Sequence, residues 1–252
     1  MDLMNWIFLR GLVRESRHWA GFPERFEREV PGAKAHMIDL PGIGTEAHRL
    51  SPATMDGIVA DLRSRWLTVA EKNPGDWSIF SISLGSMAAI RWSQLFPADF
   101  RRVVLINTSA ADLSPPWKRL SAGRWPDIFG LARLKEKAEK ERRVLDMTLN
   151  MRADKDELAL AWAKFSLPDP RRAQLAARQL AAALTFLCPR RLYVPALVLR
   201  SLGDRLVDPD CSERVARRLD ARLVTHGLAG HDLPLDDAEW TIEKVREWLE
   251  GA

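Results

Sequence analysis

The stretch Trp77-Ser78-Ile79-Phe80-Ser81-Ile82-Ser83-Leu84-Gly85-Ser86-Met87-Ala88-Ala89-Ile90-Arg91-Trp92 decides the fold. Trp77–Phe80 reads as a buried strand and Ser86–Trp92 as a helix, with small-x-Ser-x-Gly between them. That layout is a nucleophile elbow: a turn so tight that the residues two before and two after the central serine must be small. The turn lifts the Ser83 oxygen over the first helical turn, where free N–H groups favour developing negative charge. A serine hydroxyl is a weak nucleophile unaided, so the reading requires a base, an orienting acid and an oxyanion site. Ser81 and Ser86 are the neighbouring serines, and neither stands at the centre of the motif.

The partners follow downstream. Ala196–Ser201 reads as a strand running into Leu202-Gly203-Asp204, and Ala221–Thr225 as a strand followed by Gly230-His231-Asp232. Ser83, Asp204 and His231 therefore each fall on a loop after a strand, in the chain order serine, acid, histidine. His231 is the candidate base, with His226 as the fallback. Asp204 is preferred to Asp208 as the orienting acid, because Asp208-Pro209 is a typical helix start. Asp232 reads as a turn residue. His36 and His48 read as structural or solvated.

Upstream, Trp6–Leu9 is a short strand ending in Arg10-Gly11-Leu12-Val13, and Lys34–Ile38 leads into Asp39-Leu40-Pro41-Gly42-Ile43-Gly44. With the elbow and the two later loops, these five pieces resemble the α/β-hydrolase superfamily over nearly the whole chain, and within it the small, lidded esterases and acyl-hydrolases. The resemblance implies a serine hydrolase acting through an acyl-enzyme, with the backbone N–H groups of Leu12 and Leu84 as oxyanion donors. Many members carry His-Gly where this chain has Arg10-Gly11. Asp39 is read as a turn acid. The superfamily's first two strands have no counterpart, which leaves a mostly parallel six-stranded sheet flanked by helices.

The strand–helix alternation stops between residues 112 and 192, where helical patterns replace it at about Leu131–Met151, Lys155–Phe165 and Pro170–Leu187, the last two separated by Pro168-Asp169-Pro170. Residues 1–111 and 193–252 are thus expected to form the core and 112–192 an inserted helical lid. In the last lid helix, Ala173, Ala177, Leu180, Leu184 and Leu187 fall on one apolar stripe. Trp117, Trp125 and Phe129, with Trp162 and Phe165, are candidates for an acyl pocket or for lid core. His18 is a further pocket candidate, beside a packing role against Trp19. In the core, a sixth strand is expected at Val103–Asn107, and helices at Arg17–Phe26, Met55–Ala70, Ser86–Phe96, Asp210–Leu219 and Ala238–Glu250.

The net charge of +4 is uneven: residues 112–192 hold 17 Lys and Arg against 10 Asp and Glu, a balance of +7, and the remainder holds −3. Such a segment could steer an anionic substrate or an acidic partner, with Arg142 and Arg143 as candidate steering charges, although solvated helix faces give the same pattern. The basic lid resembles that of pimeloyl-acyl-carrier-protein methyl ester esterases, and that resemblance implies an acidic carrier protein as a partner. The other readings of the resemblance are a C–C bond hydrolase and a non-catalytic binding protein on the same fold. No run approaches the ~20 apolar residues of a membrane span. Cys188 and Cys211 lack metal-ligand spacing and read as free thiols of a reducing, cytoplasmic compartment. No metal, organic cofactor or nucleic-acid partner is expected; the expected substrate is a small-molecule acyl ester or thioester.

Overall fold

A computed structural model describes residues 3–131, 133–165 and 171–251. Six parallel strands form one sheet: β1 (Met4–Leu9), β2 (Ala33–Met37), β3 (Asp76–Ile82), β4 (Arg102–Ile106), β5 (Ala196–Ser201) and β6 (Arg222–His226). Their order is β2-β1-β3-β4-β5-β6. All six expected strands are present, each within two residues of its expected bounds.

Side-chain alternation along the strands builds a core on each face. Trp6 and Phe8 of β1 point to one side, with Phe80, Ile82, Val104 and Ile106. There they meet α1 (Phe22–Glu29) and α11 (Ala238–Glu250), where Phe8 packs edge-on to Trp19 and Phe26 with ring centres 5.4 and 5.3 Å apart. Ile7, Leu9, Ile79 and Leu105 point to the other side, against α2 (Met55–Lys72), α3 (Leu84–Leu95) and α9 (Asp210–Leu219). The helix expected at Arg17–Phe26 is instead a short 3₁₀ turn, Ser16–Trp19, and then α1. Ala20 and Gly21 separate them in the left-handed region, at φ 47° and 83°, and a helix cannot run through two such residues.

Residues 112–192 carry α4 (Pro116–Arg119), α5 (Trp125–Gly130), α6 (Lys137–Thr148), α7 (Lys155–Ala163) and α8 (Arg172–Thr185). Leu145, Leu149, Ala159 and Trp162 of this segment form a small cluster closed by Leu235, from the short helix α10 (Leu233–Asp236). The Pro168-Asp169-Pro170 stretch expected to separate α7 from α8 lies outside the described residues. The stripe expected to bury α8 is wrong in phase. Leu184 and Leu187 are exposed, and the buried face is Leu175, Gln179 and Ala182, continued by Phe186. On a helix this rich in Ala and Leu both faces are apolar, so periodicity alone does not choose between them.

Strand order reverses at β1, since the chain goes from β1 outward to β2 and then back across to β3. In open α/β sheets such a switch point opens a crevice beyond the carboxyl ends of the strands. The loops after β1 and β3 therefore lie side by side there, carrying Gly11 and Ser83.

Candidate active site

Ser83 adopts φ 57° and ψ −119°, a conformation that a serine rarely holds and that costs about 1–3 kcal/mol. Its surroundings impose it. The Ser83 N–H donates to the Ile106 carbonyl at 2.8 Å, while the Thr108 hydroxyl donates to the Ser83 carbonyl at 3.1 Å. The Ser81 hydroxyl donates to the Val104 carbonyl at 2.7 Å, and Ser86 Oγ accepts the Ile106 N–H at 3.1 Å. Ser81 thus fits where glycine is commoner because its hydroxyl finds an acceptor on β4. Both flanking serines are fully buried, whereas Ser83 is partly open.

The glycine after the elbow is required by a close approach. A Cβ on Gly85 would lie 2.5 Å from the Leu9 carbonyl oxygen and 2.6 Å from that of Arg10. A Cβ on Gly11 would lie 3.2 Å from the Ser83 Cβ and 3.6 Å from its Oγ. The Gly11-Leu12 backbone therefore runs beside the Ser83 hydroxyl. Leu84 opens α3, where N–H groups have no intrahelical acceptor. Among the described residues, neither the Leu12 nor the Leu84 N–H donates to a protein acceptor.

His231 and Asp204 meet directly: Nδ1 of His231 is 2.7 Å from Oδ2 of Asp204, and both side chains are buried. The other oxygen of Asp204 accepts the N–H groups of Leu206 and Val207 at 2.8 and 2.9 Å. Asn107, held at φ 44°, donates from Nδ2 to the His231 carbonyl at 2.8 Å and so fixes the loop carrying His231 against β4. Burial pulls the His231 pKa down, but the charge of Asp204 and its hydrogen bond outweigh it, helped by Asp232 and opposed by Arg10; the net direction is up.

The alternatives are engaged elsewhere. Asp208 accepts the Asp210 N–H at 2.9 Å at the start of α9 and pairs with Lys118 at 3.1 Å. His226 Nδ1 accepts the N–H of Ala229 at 2.8 Å, and its ring packs edge-on to Trp240.

Asp232, expected to be a turn residue, is a buried counter-ion. Its two oxygens meet the Arg10 guanidinium at 3.1 and 2.5 Å, and Arg10 also stacks over Trp19 at 4.6 Å. A buried carboxylate needs such a partner, and Arg10 supplies it in place of the histidine commoner at that position. The pair ties the loop after β1 to the loop carrying His231. Two further residues passed unnoticed in the sequence hold the same loop: Glu141 of α6 pairs with Arg14 at 2.6 Å, and Gln179 of α8 accepts the Val13 N–H at 3.0 Å. The available signal was Gln179 in helical register with Leu175, Ala182 and Phe186 amid the Ala- and Leu-rich pattern of α8.

His18 is buried, and its Nδ1 accepts the Glu15 N–H at 3.1 Å. Its ring packs edge-on to Trp162 and Phe165 at 4.7 and 5.6 Å. Burial, and then the charges of Arg14 and Arg10, push its pKa far below the usual range, so it is neutral. Its place is in the packing between the loop after β1 and α7. Trp117, Trp125 and Phe129 are 61%, 43% and 70% exposed, so they form neither lid core nor a closed pocket. Among the described residues, no group of three His, Cys, Asp or Glu side chains could hold a metal ion.

The sequence profile of the serine aminopeptidase, S33 family (Hydrolase_4) matches residues 6–236. The chain belongs to this family. Among curated protein sequences none matches significantly. Solved structures share the hydrolase's fold over essentially its whole length. The putative non-heme bromoperoxidase BpoC from Mycobacterium tuberculosis H37Rv superposes with a TM-score of 0.77 at 17% identity, covering 100% of this chain and 92% of that one. A thermophilic esterase from Thermogutta terrifontis gives 0.71 at 21% identity, covering 99% and 90%. The RedJ thioesterase of the prodiginine pathway in Streptomyces coelicolor gives 0.68 at 15%, covering 98% and 86%. At these identities the likeness speaks for the fold.

Proposed function

We propose that the chain is a serine hydrolase that cleaves an ester or thioester of a small acyl substrate through an acyl-enzyme on Ser83. The observation that carries this reading is the buried 2.7 Å contact of Asp204 with His231, at the same end of the sheet as the strained Ser83 turn. Asp204 holds the proton on Nδ1 of His231, which leaves Nε2 free to accept the Ser83 proton as Oγ attacks the carbonyl carbon. The Leu12 and Leu84 N–H groups stabilise the oxygen as it gains charge. His231 returns the proton to the leaving alcohol or thiol, and water then cleaves the acyl-enzyme by the same route.

Residues 112–192 serve in this reading as the lid over the site, and the contacts of Glu141, Trp162 and Gln179 with residues 13–18 support that role. No observation favours a carrier protein over a small molecule: Arg142 pairs with Asp146 and Asp156, and Arg143 lies 3.6 Å from Asp127. No helix among the described residues is long and apolar enough to cross a membrane, and the two buried, unpaired cysteines suit a reducing cytoplasm.

The test is a fluorophosphonate probe with peptide mapping, run beside a panel of acyl esters and thioesters. The expected adduct sits on Ser83, and Ser83→Ala loses both labelling and turnover while keeping its melting temperature. Undiminished turnover in purified Ser83→Ala, or a scaffold that never labels, refutes the proposal.

A further inference from the structure

The loop that follows β1 contains a residue whose backbone is out of place for its type. Gly11 to Arg14 form a four-residue turn closed by the Arg14 N–H on the Gly11 carbonyl at 3.2 Å, and Val13, third in the turn, has φ 55°. Glycine usually fills such a position, and a β-branched residue there is an outlier that persists only where its surroundings over-determine it.

The surroundings come from α8. Gln179 is the polar member of that helix's buried face and is fully enclosed. Its Oε1 accepts the Val13 N–H at 3.0 Å, and its Nε2 donates to the Pro41 carbonyl at 3.4 Å. The second contact gives the first its sense. With Nε2 committed to a carbonyl, the amide presents an acceptor to Val13 and not a donor. The Leu12–Val13 peptide of such a turn can flip as a unit, exchanging positive for negative φ at the third position. A flip would turn the Leu12 carbonyl toward Oε1, oxygen against oxygen. Gln179 thus selects one of the two states, and the peptide it selects adjoins the Leu12 N–H beside Ser83.

We propose that Gln179 is a positioning residue for the oxyanion site: by holding the Val13 N–H it fixes the turn, and with it the adjoining Gly11–Leu12 peptide whose N–H is the donor, in place beside Ser83. This rests on the reading of Ser83 as nucleophile and Leu12 as donor. The residue acts from the helical segment, so the donor is correctly set only when α8 is seated on the sheet.

Gln179→Met keeps the length of the side chain and removes the acceptor; Gln179→Glu keeps an acceptor but sets a carboxylate against the Pro41 carbonyl. Gln174→Met, on the exposed side of the same helix, is the control. Outright loss of an oxyanion donor costs about 10²–10³ in turnover, so a misplaced one should cost roughly tenfold or more. The expected result for Gln179→Met is a kcat lowered by that factor with KM unchanged. Its affinity for a trifluoromethyl ketone, which forms a tetrahedral oxyanion on the serine, should fall by the same factor. Gln179→Glu should be intermediate and Gln174→Met like the unmodified enzyme.

A merely structural glutamine would lower the melting temperature without splitting kcat from KM or weakening the ketone selectively. That result overturns the proposal, as does a Gln179→Met enzyme within about twofold of the original in both kcat and ketone affinity. If Gln179→Met does not fold, the same comparison on Gln179→Glu decides. Labelling of the unmodified enzyme separates the two levels. No adduct on Ser83 overturns the parent reading and this one with it, whereas an adduct with an unaffected Gln179→Met overturns this one alone.

Discussion

Replacing Asp204 with Asn changes which nitrogen of His231 carries the proton. One oxygen of Asp204 accepts two backbone N–H groups, from Leu206 and Val207, and the other faces His231 Nδ1 at 2.7 Å. An asparagine in this cradle keeps its oxygen on the two N–H groups, because turning the amide would set its NH₂ against two donors. Its NH₂ therefore faces Nδ1, which must accept. The ring proton moves to Nε2, and the base can no longer take a proton from Ser83. The wrong tautomer at a triad of this kind costs about 10⁴ in kcat, and ~10³–10⁴ is expected here with little change in KM. Asp208→Asn should lose only the exposed contact with Lys118, since asparagine caps a helix as well as aspartate does. Steady-state kinetics on a reactive ester, with melting curves for both variants, measure the difference. An Asp204→Asn enzyme within tenfold of the original, or an Asp208→Asn enzyme that is the more damaged, would refute the tautomer argument.

Two further outcomes follow from the charges around the base. Asp232→Ala strands the Arg10 cation in a site where its side chain is 5% exposed, and breaking a buried pair costs about 3–5 kcal/mol. Urea unfolding should show that loss, and Arg10→Met with Asp232→Leu should recover most of it; an Asp232→Ala protein as stable as the original contradicts the pairing. Because the His231 pKa is raised, the acid limb of kcat/KM should lie above the ordinary imidazole value of about 6.5, and activity should fall as pH drops through it. The stability that protonated His231 contributes runs the other way: it is complete below the unfolded pKa and is lost as pH rises through the folded one. A limb at or below the ordinary value refutes the shift.

The sheet and the order of the three candidate residues were legible because both depend on local pattern. Strands flanked by turn signals and a serine between small residues leave marks within a few positions. What escaped depends on which distant group a side chain meets. Asp232 looked like a turn residue because its partner, Arg10, is 222 positions away. The buried face of α8 was misread because its one polar residue counted against burial, yet Gln179 is the residue with a backbone partner. The break after Trp19 was marked by Gly21 and by Pro23 in the first turn of α1, but Ala20, a good helix former that here has φ 47°, let the apolar pattern read through it. Trp117, Trp125 and Phe129 read as an acyl pocket or lid core because large aromatics are usually enclosed, and here short helices leave them in solvent.

The tethers on the loop after β1 also bear on when the protein becomes competent. Arg10, Val13 and Arg14 precede their partners by 222, 166 and 127 residues. During synthesis the strand and its loop emerge before these partners, and the loop takes its folded form only when they arrive. Closing contacts over such separations is entropically costly and slow compared with forming helices. Ser83 and its helix can be in place while the groove beside them is still unformed. Competence therefore arrives late and together with the last contacts, so that in this chain the appearance of activity is a clock for completed folding.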